Sequence, residues 1–306
     1  MLSEKPWKPG AIVRLFAGVL ICILIGSLIE SVMQFFGSAQ RERTLAYCVL
    51  MAGALGLCAG ALHLLGRPWR LAVTARDFLR LLVCVYGALL LAWCAVRLQG
   101  EIEAENSVQK TVLAVLCFQG AALLLISRFV REHGIGWSEA FGFNRGWKQA
   151  LLLGALAAFV FLPFGWTVQA ASVWVMEQAR WQPQEQAAVE VLRAASTWPN
   201  RLLLGAAAIL VAPVAEEMMF RGILYPAIKQ AGYPRLAWWG TALAFAAIHF
   251  NAVSFLPLVV LALMLTWLYE KTGNLLASII THGLFNGLNF VTLYLLESLG
   301  RLPAKS

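Results

Sequence analysis

The sequence predicts an all-α, polytopic integral membrane protein, a helical bundle with about eight or nine transmembrane helices. Of its 306 residues, 60% are hydrophobic and only 13% are charged, and the mean hydropathy is +0.72, which excludes an ordinary soluble domain. Long apolar stretches recur along the chain, and about 20 apolar residues in a helix cross a hydrocarbon core of about 30 Å. We expect helices because a helix satisfies its own backbone hydrogen bonds in lipid.

Nine apolar segments support this prediction, at about 11–36, 45–65, 78–98, 110–128, 149–169, 201–220, 236–250, 254–270 and 274–298. The first is too long for the apolar region of a signal peptide and contains Glu30 and Gln34, so a membrane helix is the better interpretation. The segments 236–250 and 254–270 are short and could form a single crossing. One crossing fewer would move the C-terminus to the other side of the membrane.

The basic residues are spread over short loops between the apolar segments, although the net charge is +8. Loops that would face the cytoplasm if the N-terminus is cytoplasmic carry more of them than the opposite loops, as the positive-inside rule requires. The sequence therefore predicts a cytoplasmic N-terminus, a bacterial inner (cytoplasmic) membrane location, the lipid bilayer as a partner, and no nucleic-acid partner.

We expect one integrated membrane domain in two parts. Residues 1–199 would hold the N-terminal transmembrane helices and an interfacial segment, and residues 200–298 a catalytic helical core. The segment 170–200 contains three tryptophans and scattered charges, which fits an amphipathic stretch at the interface or a plain solvated loop. None of the six cysteines forms a CxxC pair, so they are expected to be packing residues.

Three late apolar segments carry polar side chains that a purely structural membrane helix would avoid. They are Glu216, Glu217 and Arg221, then His249, then His282 and Asn286. Ionisable groups at such depth are costly and usually functional. Residues four apart share a helical face, so Glu217 and Arg221 should form an ion pair while Glu216 points elsewhere. Pro213 weakens the helix just before this point.

A carboxylate, two histidines and an amide that converge in one bundle can form a hydrolytic site without a serine or cysteine nucleophile. The carboxylate and one histidine would act on water as general base, and neutral imidazole and amide donors would stabilise the oxyanion. Zinc held by two histidines and a carboxylate is the nearest rival chemistry, although HExxH is absent. The same polar residues are also compatible with a structural Glu–Arg clamp, a non-enzymatic scaffold or a proton relay.

The three motifs EExxxR, FxxxH and HxxxN resemble those of the CPBP intramembrane proteases. This group of CAAX proteases and bacteriocin-processing enzymes includes the Ras-converting CAAX prenyl endopeptidases. The motifs occur in order in this sequence at Glu216-Glu217-Arg221, Phe245-His249 and His282-Asn286, with similar flanks RGILYP and YEKTGNLLASIITH. The resemblance covers about residues 200–295.

The resemblance implies a glutamic-type endopeptidase that needs no metal or other cofactor. Glu216 and His249 would activate the attacking water, and His282 and Asn286 would form the oxyanion hole. The implied substrate is a membrane-associated or lipid-anchored protein or peptide, often cut near its C-terminus. A non-enzymatic scaffold or a bacteriocin-immunity-type protein is the alternative function.

The remaining motif residues would have supporting roles by the same resemblance. Glu217 and Arg221 would organise the site, and Phe245 would pack beneath His249. Counting along ideal helices places Glu216 near the cytoplasmic side and His249 near the outer end of its short helix, so a tilted or deeply starting helix is needed for them to meet.

Overall fold

A computed structural model describes residues 4–37, 44–66, 83–84, 87, 90–91, 107–195 and 197–299. Every regular element among these residues is helical, which confirms the predicted all-α class. The contacts divide the chain into two compact units, residues 8–125 and residues 126–306 together with the N-terminal segment up to Trp7. The predicted boundary between residues 199 and 200 stays a prediction. Cys94 and most of the predicted segment 78–98 lie outside the described residues.

The unit formed by residues 8–125 contains α1 (Pro9–Gly37), α2 (Thr44–Gly66), α3 (Ser107–Val115), a π-helical turn at Leu116–Gly120 and the start of α4 (Ala121–Glu132). Its core lies between α1 and α2, where Leu24 and Leu28 are buried in one cluster with Tyr47 and Met51. Glu30, the one acidic residue in the sequence of α1, lies 3.8 Å from the ammonium group of Lys110 on α3. This pairing gives the charge a partner inside an apolar segment.

The described residues of the other unit form nine α-helices besides the end of α4. They are α5 (Trp137–Phe141), α6 (Trp147–Gln178), α7 (Ala187–Ala194), α8 (Trp198–Ala206), α9 (Ala212–Glu217), α10 (Tyr225–Gln230), α11 (Pro234–Ala247), α12 (Ala252–Thr272) and α13 (Leu276–Ser298). The long helix α6 packs against both α12 and α13. Gly154 makes this approach close, because a Cβ there would lie 2.6 Å from the carbonyl oxygen of Ala277.

Seven helical stretches of the described chain are long and apolar enough to cross a membrane, and the chain is an integral membrane protein. They are Pro9–Met33, Tyr47–Leu64, Lys110–Glu132, Trp147–Gln178, Trp198–Gln230, Ala252–Thr272 and Leu276–Glu297. The predicted segment 236–250 corresponds to α11, whose 14 residues extend only about 21 Å. This helix is too short to cross a hydrocarbon core of about 30 Å in full.

The segment between α6 and α8 lies against the end of α13 through a buried arginine. Arg193 on α7 is 6% exposed, and its guanidinium donates hydrogen bonds to Glu185 and to Glu297, each at 2.5 Å. Nearby, the side-chain amide of Asn251 donates to the carbonyl oxygen of Gln184 at 2.9 Å. The segment is therefore held at both ends by polar contacts to the bundle.

Candidate active site

The site is carried by the continuous helical stretch 198–230, which changes register twice. π-helical segments at Ala207–Val211 and Met218–Leu224 lie on either side of α9, whose last two residues are Glu216 and Glu217. A π-helical turn accommodates an extra residue and often occurs at functional sites. Pro213 is the second residue after the first π-helical segment, and proline has no N–H to donate to a preceding carbonyl.

Glu217 is fully buried and is held by two donors on the same carboxylate oxygen. Arg221 Nη1 donates to Glu217 Oε1 at 2.8 Å, the ion pair that the spacing of four residues predicts. His282 Nδ1 donates to the same oxygen at 3.0 Å. Arg221 is also buried, and its Nη2 donates to the carbonyl oxygen of Ala262 on α12 at 3.1 Å. Since a buried charge persists only when paired and hydrogen-bonded, these contacts explain how both charges are tolerated.

Glu216 points away from this pair and faces His249 instead. The distance from Glu216 Oε2 to His249 Nε2 is 4.0 Å, which is too long for a direct hydrogen bond. Glu216 is 6% exposed, and among the described residues its Oε2 atom has no hydrogen-bond partner. On the other side of the imidazole ring, His249 Nδ1 donates to the carbonyl oxygen of Phe245 at 2.8 Å. Since a neutral imidazole carries one N–H and this contact places it on Nδ1, Nε2 of a neutral ring is a hydrogen-bond acceptor.

Phe245 lies at the centre of the cluster and contacts most of its members. Its ring centroid lies 5.0 Å from that of His249 and 5.6 Å from that of His282, and the guanidinium of Arg221 lies 4.5 Å from it. A cation over an aromatic face at this distance is attracted by the ring quadrupole. Phe245 therefore separates the Glu217 ion pair from His249 while it orients both imidazole rings.

Asn286 holds the first π-helical segment against α13. In the register of that segment, residue 213 would donate to the carbonyl oxygen of Ala208, but Pro213 has no N–H. Asn286 Nδ2 donates to this carbonyl at 2.8 Å and so replaces the missing donor. The approach is close because a Cβ on Gly283 would lie 2.6 Å from the carbonyl oxygen of Ile209. One of the two amide hydrogens of Asn286 is thus used within the protein.

The structure brings the sequence-predicted residues into one region, with two differences in detail. The first concerns His249, which the sequence analysis places at the end of its helix; it lies in a turn after α11, which ends at Ala247. Because α11 is short, this turn need not reach the far interface, and His249 meets Glu216 without the predicted conflict in depth.

The second difference concerns His282, expected to act as a neutral donor to an oxyanion. Its Nδ1–H is already directed at Glu217, so a neutral ring has no hydrogen left on Nε2. Sequence reasoning also missed the two π-helical segments and the contact of Trp7 with the second of them. The only signals in the sequence are Pro213 and Pro226, which mark where a backbone donor is absent.

Among the described residues, no group of three or more His, Cys, Asp and Glu side chains has an arrangement that could hold a metal ion. The metal-free chemistry expected from the sequence stays a prediction.

The fold and the site define a polytopic helical membrane protein with a buried cluster of glutamate, arginine and histidine side chains on three neighbouring helical stretches. The family model described as type II CAAX prenyl endopeptidase Rce1-like matches residues 198–288, the region that contains every residue of this cluster. This region of the chain is therefore similar to the Rce1-like family of prenyl endopeptidases.

Three curated bacterial proteins are similar to parts of the chain. UPF0177 protein YaiF of Lactococcus lactis is 28% identical over 149 residues, which cover 47% of this chain and 64% of that protein. UPF0177 protein YxdF of the same organism is 27% identical over 94 residues, which cover 30% of this chain and 51% of that protein. The uncharacterized protein YpbD of Bacillus subtilis is 34% identical over 77 residues (24% and 36%). The matches span less than two thirds of each relative, and no solved structure matches the chain.

Proposed function

We propose that the protein is a glutamic intramembrane endopeptidase. It would hydrolyse a peptide bond in a membrane-associated or lipid-anchored protein, often near the C-terminus of that substrate. The observation that supports this most is the relation of Glu216 to His249, in which two acceptor atoms face each other at 4.0 Å. The match of residues 198–288 to a family of prenyl endopeptidases supports the same reaction class.

A water molecule between Glu216 and His249 gives both acceptors a donor. Such a water donates one hydrogen to Glu216 Oε2 and the other to His249 Nε2, and its lone pairs remain free to attack a carbonyl carbon. Burial of Glu216 removes competing solvent, and the Phe245 carbonyl fixes the tautomer of His249. The pair therefore has the arrangement of a general base and its orienting partner.

The proposed reaction balances with these groups alone. Glu216 takes a proton from the water as the new carbon–oxygen bond forms, and the tetrahedral intermediate carries the negative charge on the former carbonyl oxygen. Glu216 then gives the proton to the amine nitrogen as the carbon–nitrogen bond breaks. The products are one carboxyl terminus and one amino terminus, and Glu216 returns to its starting state.

We assign stabilisation of the oxyanion to His282 and Asn286. Because His282 Nδ1–H donates to Glu217, its Nε2 atom donates to an oxyanion only when the ring is an imidazolium. Asn286 contributes the amide hydrogen that Ala208 does not use. Donors directed at developing negative charge in a water-poor site are a major source of rate enhancement.

The distribution of basic residues supports a cytoplasmic N-terminus, and the bacterial relatives support a location in the bacterial cytoplasmic membrane. The basic connector 67–80 lies outside the described residues, and its sequence predicts a cytoplasmic location.

The test is a comparison of protein termini in cells that carry the wild-type protein, Glu216→Gln, or the exposed control Glu177→Gln. We expect wild type and the control to generate the same new termini in membrane proteins. Glu216→Gln should lose them, with at least about a 100-fold lower rate on a verified substrate and unchanged thermal unfolding in detergent. A folded Glu216→Gln protein that cuts at the wild-type rate would overturn the proposal.

A further inference from the structure

The N-terminal segment before α1 is bound to the part of the protein that carries the site. Trp7 is 8% exposed, and its ring packs against Phe129 at 5.0 Å and His133 at 5.3 Å between centroids. Its indole Nε1 donates a buried hydrogen bond to the carbonyl oxygen of Gly222 at 3.1 Å. Gly222 is the residue directly after Arg221, within the π-helical segment 218–224.

The carbonyl oxygen of Gly222 lies where the helical register changes. The segment 218–224 ends with Tyr225 N–H bonded to the carbonyl oxygen of Phe220, and α10 then resumes the α-helical register. In that register residue 226 would donate to Gly222, but Pro226 has no N–H. A buried carbonyl without a donor is costly, so Trp7 supplies what the backbone cannot.

Glu216 and Glu217 are thus flanked by two matching arrangements. On the N-terminal side, Pro213 leaves the carbonyl oxygen of Ala208 without its backbone donor, and Asn286 supplies one at 2.8 Å. On the C-terminal side, Pro226 has the same effect on Gly222, and Trp7 supplies the donor. Asn286 belongs to the proposed site already, whereas Trp7 lies about 200 residues from the motifs in sequence.

Two further contacts hold the N-terminal segment in place beside Trp7. Lys5 Nζ donates to the carbonyl oxygen of Ala140 at 2.7 Å. The side-chain amide of Gln230, at the end of α10, lies with its oxygen 2.6 Å from Lys5 N and its nitrogen 3.2 Å from Lys5 O. The segment therefore contacts α10 and the π-helical segment before it.

We propose that Trp7 is a positioning residue for the hydrolytic site and acts through Gly222 on Arg221. By holding the π-helical register at Gly222, it keeps the Arg221 guanidinium where it reaches Glu217, the Ala262 carbonyl and the Phe245 ring. The kinetic part of this inference rests on the proposed endopeptidase activity, but the structural part does not.

The first test compares Trp7→Phe with the exposed control Trp174→Phe. Trp7→Phe keeps an aromatic ring against Phe129 and His133 but removes the N–H donor. We expect kcat to fall roughly fivefold to tenfold with KM unchanged, because the substrate still binds while the ion pair behind the site is displaced. Trp174→Phe should leave both constants unchanged, since Trp174 is 61% exposed. Equal constants for Trp7→Phe and wild type would overturn the proposal.

A rescue experiment separates positioning from general packing. Pro226→Ala restores a backbone N–H within reach of the Gly222 carbonyl, so Trp7→Phe should cost little when it is made in the Pro226→Ala background. If Trp7→Phe lowers kcat by the same factor in both backgrounds, the hydrogen bond is not the cause and the proposal is wrong.

Hydrogen–deuterium exchange of the purified protein tests the same relation without any substrate. Trp7→Phe should speed amide exchange in peptides covering residues 218–230 and leave peptides covering α12 unchanged; no local change in 218–230 would contradict the proposal. If Glu216→Gln retains activity while Trp7→Phe still loosens 218–230, the proposed activity fails and the positioning role of Trp7 stands. If Glu216→Gln is inactive and Trp7→Phe changes neither kinetics nor exchange, the proposed activity stands and the positioning role of Trp7 fails.

Discussion

His282 binds Glu217 and not its neighbour Glu216. The distance from His282 Nδ1 to Glu217 Oε1 is 3.0 Å, and Arg221 Nη1 reaches the same oxygen at 2.8 Å. Glu217 is therefore held through Oε1, whereas Glu216 Oε2, like Glu217 Oε2, has no hydrogen-bond partner among the residues that the structure describes. This division of roles follows from helix geometry, because adjacent residues diverge by about 100° around the helix axis.

The buried pair predicts that Arg221→Ala damages folding as well as activity. Removal of the guanidinium leaves the Glu217 carboxylate without its cation in a fully buried position, which costs about 3–5 kcal/mol in comparable buried pairs. We expect a large drop in the thermal unfolding temperature in detergent and loss of cleavage. The control Arg235→Ala changes an exposed arginine and should have little effect.

The double variant Arg221→Ala/Glu217→Gln checks the cause of that loss. It removes both charges, so it should recover part of the unfolding temperature that Arg221→Ala loses, because no unpaired buried charge remains. A single variant Arg221→Ala that is as stable as wild type would show that the ion pair is not needed for folding.

Gly283→Ala should separate α13 from the first π-helical segment. A Cβ at position 283 would lie 2.6 Å from the carbonyl oxygen of Ile209, a backbone atom that cannot move aside alone. We expect a loss of about 1–3 kcal/mol in the free energy of unfolding, as for other overpacked sites, and slower cleavage, because the bond from Asn286 to Ala208 lengthens.

Gly205→Ala is the matched control for this substitution. Gly205 lies on α8 of the same helical stretch, and a Cβ there meets no atom within 4 Å. We expect its unfolding temperature and cleavage rate to equal those of wild type. Equal behaviour of Gly283→Ala and Gly205→Ala would mean that the close approach at Ile209 is relaxed in the membrane.

Metal removal distinguishes the glutamate mechanism from a zinc mechanism. We expect cleavage to persist after incubation with a strong chelator, and elemental analysis to find zinc well below one atom per chain. The reason is that, among the described residues, no three His, Cys, Asp or Glu side chains are grouped so that they could hold a metal ion. Cleavage that is lost with chelator and restored by zinc would favour the metal enzyme.

Most of the architecture could be predicted from the sequence, because the apolar segments are long and separated by basic loops. Length and hydropathy alone decide whether a helix can cross a bilayer, so six of the nine predicted segments coincide with long apolar helices of the structure. The predicted segment 201–220 also holds, but the helix continues through Arg221 to Gln230. The continuation was missed because charged and proline residues usually mark the end of a membrane helix.

Of the contacts at the candidate site, the sequence predicted one and left the others open. Spacing of four residues correctly pairs Glu217 with Arg221, since both lie on one helical stretch. The partners of His282 and Asn286 lie on other helices, and no local pattern tells which oxygen a side chain reaches across a bundle. The π-helical segments also have no periodic signature of their own, and only Pro213 and Pro226 hint at them.

Lys5 in the N-terminal segment should make the stability of the protein depend on pH, which can be checked without a substrate. Lys5 is half-buried, and burial, followed by the nearby positive charge of Arg145, lowers the pKa of its ammonium group to about 8, against a small opposing effect of Glu139. In the unfolded chain this group keeps its ordinary pKa of 10.5. Between these two values the unfolded state binds a proton that the folded state does not, so the folded state gains stability as pH rises.

Lys5→Met should remove this rise of stability with pH and leave other pH effects unchanged. We expect the unfolding temperature of wild type relative to Lys5→Met to rise between about pH 8 and pH 10.5, because the cost of a buried ammonium disappears as Lys5 loses its proton. Lys271→Met, at an exposed lysine, should show no such relative change. A difference between wild type and Lys5→Met that stays constant or falls with pH would mean that Lys5 does not lie against Ala140, and the attachment of the neighbouring Trp7 to Gly222 would lose its anchor.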